Sequence, residues 1–157
     1  MNSVSLPNLG ADQIMNLPEI LSERKYGVVW IKTHSLGELW RENLGKEIKL
    51  VGLKGRPVDL TVIDYDIAIE VVAGFLQYEM AFSAQMIERA VALKRAEFIL
   101  SLFRADDTTY YSNVFKNIRG EYSYGGNCTP MTDATFDTGL VIRTPLSVTA
   151  VWAEDED

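Results

Sequence analysis

The sequence predicts a single α+β domain in which an antiparallel sheet built from hairpins packs on a long central helix. Short β-branched or aromatic runs lie near both ends of the chain, and a segment of 22 residues in the middle contains neither glycine nor proline. The length of 157 residues suits one hydrophobic core, and no repeat, low-complexity tract or linker divides it. The whole chain, 1–157, is therefore expected to be one globular domain.

The N-terminal region is predicted to contain a loose arm, a short helix and the first strand. Residues 1–12 combine proline, asparagine and glycine, which is typical of an arm, whereas 11–23 can form a short helix interrupted near Pro18. The run 27–33 is rich in β-branched and aromatic residues, which favour a pleated, half-buried backbone. This run is the predicted first strand.

A helix is predicted to follow that strand. Ser35 and Glu38 have the spacing of a capping box, in which each side chain accepts a hydrogen bond from the other residue's backbone N–H. Gly45 can end such a helix, because glycine adopts the left-handed conformation without steric cost. We therefore expect a helix over 36–44.

The region from 47 to 72 predicts a hairpin and then a segment with two competing patterns. Apolar residues alternate imperfectly in 47–54, and a Gly-Arg-Pro turn leads into the apolar run 58–63, so these two runs predict a β-hairpin. Residues 63–72 alternate as a strand would, but helical spacing competes from the same region onward. A helix from about Asp66, capped by Asp64 or Asp66, is the favoured interpretation because turn residues do not interrupt the chain before position 83.

The segment 83–104 predicts the long central helix. It lacks glycine and proline and is rich in alanine, leucine, glutamate, lysine and arginine, the strongest helix formers. Its apolar residues spread around the whole circumference, which is typical of a helix buried on several sides. Burial of one side in a homodimer is the competing interpretation.

The remainder of the chain predicts a loop and a second hairpin. Residues 106–130 are polar and rich in turn formers, and their tyrosines, including Tyr122 and Tyr124, either contact a partner or pack by their rings on the core. Two apolar strands, 139–143 and 147–153, flank a Thr-Pro-Leu turn. They predict a hairpin that adds two strands to the sheet.

The histidine and cysteine content argues against several catalytic classes. His34 is the only histidine, so a paired-histidine metal site and an H-E-x-x-H zinc helix are both excluded. Cys128 is the only cysteine, so an internal disulfide is impossible, and neither it nor any serine lies in a known nucleophile motif. A loop cysteine without a catalytic role is the expectation.

Phosphate-binding loops and convincing carboxylate sites are missing from the sequence as well. The glycines match neither the G-x-x-x-x-G-K nor the G-x-G-x-x-G pattern. The acidic pairs at 64 and 66 and at 106 and 107 could bind Mg²⁺, but such pairs are more often helix caps and turn residues. We therefore expect no metal, no cofactor and no enzymatic activity.

The charge distribution is the feature that bears most directly on function. Residues 1–60 carry 8 Lys and Arg against 7 Asp and Glu, a net charge of +1, whereas 61–157 carry 7 against 15, a net charge of −8. An acidic surface repels nucleic acid and attracts basic proteins, although acidity can also serve solubility alone. The first 12 residues lack the pattern of a signal peptide, and the chain lacks an apolar run of membrane-spanning length, so a cytoplasmic location is expected.

Two segments near the C-terminal end carry a resemblance to a known class of proteins. Residues 135–142 (TFDTGLVI) and 151–157 (VWAEDED) form the predicted hairpin and its acidic finish. Together they resemble the C-terminal part of small cytosolic immunity proteins that are paired with polymorphic bacterial toxins, including those of contact-dependent growth inhibition systems. The resemblance implies a protein that binds and neutralises a cognate toxin domain, often a basic nuclease.

This hypothesis places partner contacts on acidic and aromatic residues. Carboxylates would replace the phosphates that a nuclease binds, and aromatic side chains would anchor the complex. The expected contact residues are Asp133, Asp137, Trp152, Glu154, Asp155, Glu156 and Asp157, together with Tyr122 and Tyr124. The alternative hypothesis is a phage-encoded inhibitor, a DNA mimic or a structural component of a virion.

Overall fold

The computed structural model describes Leu17, Ile20, Leu21, 27–116, Arg119, Tyr122, Ser123 and 129–156. The predicted arm at 1–12 lies outside the described residues. Of the predicted helix at 11–23, only Leu17, Ile20 and Leu21 are described; they are helical, and Ile20 is buried against the main core.

The described residues form an α+β domain with one five-stranded antiparallel sheet, which confirms the predicted fold class. The helices are α1 (Leu44–Leu50), α2 (Tyr65–Gln77) and α3 (Arg89–Ser101), with a 3₁₀ turn at Pro57–Asp59. The strands are β1 (Val28–Ser35), β2 (Thr61–Ile63), β3 (Thr109–Ser112), β4 (Phe115–Lys116), β5 (Tyr122–Ser123), β6 (Phe136–Thr144) and β7 (Ser147–Asp155).

The sheet is built around the C-terminal hairpin. Its strand order is β1-β7-β6-β3-β2, while β4 and β5 pair separately. Strands β6 and β7 pair along their whole length, from Phe136 opposite Asp155 to Thr144 opposite Ser147. The predicted hairpin is therefore confirmed, and its strands extend beyond the predicted bounds at both ends.

Both faces of the sheet are covered, so the domain has three layers. Leu140 and Ile142 of β6 point to the face where α2 and α3 pack, and the intervening Val141 belongs to the apolar cluster that α1 contributes to on the other face. A Cβ at Gly139 would lie 2.5 Å from Trp152 Cε3 and 2.2 Å from the carbonyl oxygen of Val151. Glycine at this position is what allows the indole of Trp152 to lie across β6.

The segment with two competing patterns is helical. Helix α2 begins at Tyr65 because Asp64 caps it, with Asp64 Oδ1 accepting a hydrogen bond of 2.8 Å from the backbone N–H of Ile67. The helix then buries Ala68, Val72 and Phe75 against the sheet side of the core, and each is at most 2% exposed. Helix α2, with eight buried residues, is the most deeply packed of the described helices.

Helix α3 differs from the prediction in length and in burial. The predicted helix at 83–104 begins only at Arg89 and ends at Ser101. It buries one stripe, formed by Ala92, Ala96, Ile99 and Leu100, and leaves Val91 40% exposed. The prediction of burial around the whole circumference was wrong, because α2 and not α3 occupies the central position. None of the described helices is long and apolar enough to cross a membrane.

The predictions for 36–54 were also wrong. Residues 36–43 are irregular, and the helix starts at Leu44, so Gly45 lies inside it and does not end it. Asn43 is the cap: its Oδ1 accepts from the backbone N–H of Lys46, and its own N–H donates to the Glu47 carboxylate at 2.7 Å. The predicted strand at 47–54 does not exist, and β2, from the predicted strand at 58–63, pairs with β3.

A candidate partner-binding surface

The acidic residues at the end of β7 belong to the sheet. Asp155 is 1% exposed, and its Oδ2 accepts a hydrogen bond of 2.7 Å from the backbone N–H of Met80. Glu154 is half-buried and accepts from the indole N–H of Trp30, and exposed Glu156 accepts from the hydroxyl of Thr135. All three carboxylates at 154–156 therefore accept hydrogen bonds from other parts of the fold. Asp157 lies outside the described residues.

Asp137 and Trp152 are interior residues, which corrects their predicted role as contact residues. Asp137 is 1% exposed, and its carboxylate accepts hydrogen bonds from the backbone N–H groups of Met131 and Thr132 and from the side-chain amide of Asn113. Trp152 is 0% exposed within the cluster on the α1 side of the sheet. Their burial, like that of Asp155, places them beyond the reach of a partner in this fold.

Three predicted contact residues remain: Asp133, Tyr122 and Tyr124. Asp133 is exposed and forms an ion pair with Lys54. Tyr122 belongs to the small β4–β5 hairpin, apart from the main sheet, and Tyr124 lies outside the described residues. Asp133, Glu154 and Glu156 are therefore the predicted contact residues that the described surface presents.

A turn at residues 78–85, which we call the 78–85 turn, lies beside this acidic end of the sheet. It joins α2 to the segment before α3, and Tyr78 and Gln85 form an isolated β-bridge across its base. The backbone N–H of Glu79 donates to the carbonyl of Ala84 at 3.0 Å. Sequence reasoning missed this turn, because 83–88 has good helix-forming composition and was placed in the predicted helix.

Buried Glu79 organises the 78–85 turn. Its side chain is almost inaccessible, at 5% exposed for the residue, and the carboxylate accepts from the backbone N–H groups of Ala81, Phe82 and Ala84 at 3.0, 2.5 and 3.2 Å. A carboxylate that accepts several backbone N–H groups fixes the backbone around it. Ser83 is held at φ +56°, a conformation that costs a non-glycine residue about 1 kcal/mol or more.

The 78–85 turn presents aromatic side chains to solvent. Phe82 is 77% exposed at the tip, and Tyr78 is 41% exposed at the base. The Met80 to Asp155 hydrogen bond connects the turn to β7, and Phe82 follows Met80 by two residues, so its Cα lies within about 9 Å of the Met80 nitrogen. Glu154, the neighbour of Asp155 in β7, points to the α1 face, where it bonds Trp30. Aromatic and acidic groups therefore lie at one end of the sheet but on its two faces.

A second charged cluster lies on the α1 face of the sheet, toward the other end of the β6–β7 hairpin, and serves the fold. Glu47 is 0% exposed; its carboxylate accepts from Arg143 Nε at 3.0 Å and from the indole N–H of Trp40 at 3.0 Å. Burial would raise the pKa of Glu47, but the hydrogen bonds from Arg143, the Asn43 backbone and Trp40, with the attraction of Arg143, hold its pKa below the ordinary value. The same acid contributes to a raised pKa of Tyr111, after burial of the ring and the charge of Glu42.

Neither cluster has the composition of a metal site. Within the described ranges, His, Cys, Asp and Glu side chains do not gather into any group of three or more that could hold an ion. The buried carboxylates that are described instead accept hydrogen bonds from backbone N–H groups, an indole and a guanidinium.

The chain matches no protein-family model, and no curated protein or solved structure is significantly similar to it.

Proposed function

We propose that the protein is an inhibitor of the immunity type, which binds a basic bacterial toxin domain in the cytoplasm and neutralises it without catalysing a reaction. The observation that carries the proposal is that one end of the sheet carries both surface carboxylates, Glu154 and Glu156, and, beside Asp155 on the α2 and α3 face, the exposed aromatic residues of the 78–85 turn. Protein interfaces combine such features, because charge guides the encounter and aromatic side chains hold the complex.

The charge of the chain supports a basic partner. The net charge is −7, and the excess of carboxylates lies in 61–157, which contains both parts of this surface. Long-range attraction between oppositely charged surfaces raises association rates, and the effect falls steeply with ionic strength. The same charge repels nucleic acid, so direct binding to DNA or RNA is not part of the proposal.

The hydrogen bonds of the surface carboxylates support tight binding. Glu154 accepts from the indole of Trp30, and Glu156 accepts from Thr135. Side chains that are ordered before binding lose less conformational entropy in the complex. A flexible acidic tail would lack this advantage.

The proposal is tested with the protein encoded next to this chain's gene. We expect that neighbour to contain a basic toxin domain, to form a one-to-one complex with this chain in size-exclusion chromatography, and to stop killing cells when the two are co-expressed. A neighbour that neither binds nor is neutralised contradicts the proposal. Rings or large oligomers of this chain alone would favour the virion component instead.

A pair of charge variants tests the surface itself. Glu154→Gln/Glu156→Gln should slow association with the toxin domain about tenfold at low salt and weaken its salt dependence. Asp106→Asn/Asp107→Asn is the matched control, because it removes the same charge near the opposite end of the sheet, where Thr109 pairs with Arg143. Equal effects of the two double variants would contradict an interface at the acidic end.

A further inference from the structure

We infer that Phe82 is the anchor of the complex and that it enters an apolar pocket whose rim carries lysine or arginine side chains of the partner. This inference rests on the proposed function, because the partner is the basic toxin domain proposed above. Phe82 is 77% exposed, and burial of its ring in an apolar pocket would recover the transfer free energy that the side chain forfeits in water.

The turn holds Phe82 in place before any partner arrives. Glu79 accepts the backbone N–H of Phe82 itself at 2.5 Å, along with those of the residues at positions 81 and 84. Asp155 accepts the N–H of Met80, and the Tyr78 to Gln85 bridge closes the base. An aromatic side chain on an ordered backbone loses little entropy on binding, which is the property of an interface anchor.

The charges near Phe82 in the chain favour a basic partner. Residues 78–88 contain two acidic residues, Glu79 and Glu88, and neither lysine nor arginine. The next basic residue in the chain, Arg89, forms an ion pair with Glu70. A second copy of this chain would bring the same negative charges to the contact, which disfavours self-association. Anionic membrane surfaces attract basic segments and would repel this one.

The geometry allows one partner to contact the anchor and the carboxylates together. Asp155 bonds to the turn through Met80, whereas Glu154, its neighbour in β7, points to the other face and bonds Trp30. A partner that covers the end of the sheet would therefore contact both. An interface of ordinary size buries about 800 Å² on each side, a disc about 30 Å across. Phe82 lies well within that span of the acidic end of β7.

Affinity measurements with the toxin domain that this protein neutralises test the role of Phe82 as the anchor. Phe82→Ala should weaken the complex by about thirtyfold or more, mainly through faster dissociation, with an unchanged circular dichroism spectrum and melting temperature. Leu146→Ala is the matched control, since Leu146 is 61% exposed in the turn between β6 and β7, at the other end of the sheet, and should change the affinity less than twofold.

A second variant tests the conformation of the turn independently of the Phe82 side chain. Glu79→Gln keeps Phe82 but places an amide N–H₂ against backbone N–H groups, so the turn should loosen and the complex should dissociate faster. Faster hydrogen exchange at residues 81–84 in this variant would confirm the mechanism. Unchanged affinity and unchanged exchange in Glu79→Gln would overturn it.

The outcomes distinguish the anchor from the proposed function. If Phe82→Ala binds the toxin domain as tightly as the natural protein, the anchor is overturned while the inhibitor function stands. If no complex forms with the natural protein, the proposed function fails and the inference fails with it. Dimerisation that Phe82→Ala abolishes, or Phe82-dependent binding to phosphatidylcholine vesicles, would also overturn the inferred occupant.

Discussion

Arg143 in β6 donates a hydrogen bond of 3.0 Å from its Nε to Oε1 of Glu47, across a sequence separation of 96 residues. This contact joins α1 to the sheet, and both side chains are largely shielded from water, with 14% exposure for Arg143 and 0% for Glu47. Removing one partner of a buried ion pair leaves the other charge uncompensated.

Glu47→Gln should therefore lower the free energy of unfolding by about 3 kcal/mol. Guanidinium denaturation followed by tryptophan fluorescence measures the loss. Glu42→Gln, at an exposed position, is the control and should change stability by less than about 0.5 kcal/mol. Similar losses in both variants would show that the buried pair adds nothing specific.

The lowered pKa of Glu47 predicts sensitivity to acid. A carboxylate with a lower pKa in the folded state stabilises the fold above its unfolded pKa of about 4.3, and this contribution disappears as the pH falls through the folded pKa. The stability difference between the natural protein and Glu47→Gln should be constant from about pH 7 to 5 and shrink below about pH 4. Denaturation curves at each pH test this, and a constant difference down to pH 3 would contradict it.

Asp137→Asn should destabilise the fold by about 2 kcal/mol, because an amide N–H₂ would replace an acceptor of the Met131 and Thr132 backbone N–H groups. Asp133→Asn, which removes an exposed ion pair with Lys54, should cost less than about 1 kcal/mol. Thermal denaturation compares the two. Normal stability of Asp137→Asn would contradict this structural role of the buried carboxylate.

Asp64→Ala should lower stability by about 1 kcal/mol through loss of the α2 cap. Asp66→Ala is the matched control in the first turn of the same helix, where the favourable interaction with the helix dipole is worth less than about 0.5 kcal/mol. Urea denaturation of both variants measures the difference. A larger effect of Asp66→Ala would show that Asp64 is not the residue that caps α2.

Elements with local determinants were predictable from the sequence. Helix α2 has its cap at Asp64 and apolar residues at helical spacing, and the β6–β7 hairpin has alternating runs around a turn, so both were predicted correctly. In both elements the sequence pattern agrees with the packing, because the helix and the strands bury the residues that their helical or strand periodicity places on one face.

Elements that depend on distant residues were not predictable. Helix α1 has only seven residues and includes Gly45, so its local helix propensity is low. The hydrogen bond from Arg143 to Glu47 stabilises it, and this contact cannot be inferred from the local sequence. The 78–85 turn depends on the Glu79 carboxylate and on Asp155, which follows Met80 by 75 residues. Only part of the candidate site was therefore predictable. The sequence indicates its acidic residues, whereas Phe82 lies in a segment whose composition favours a helix.

The pairing of β1 with β7 has a consequence for biosynthesis. Trp30 and Glu154 touch across 124 residues, and β7 separates β1 from every other strand of the sheet. Until β7 has left the ribosome, the β1 segment has no strand to pair with, and its apolar residues stay exposed in the nascent chain. We expect the domain to fold only after β7 has emerged from the ribosome, and chaperones to shield the β1 segment until then.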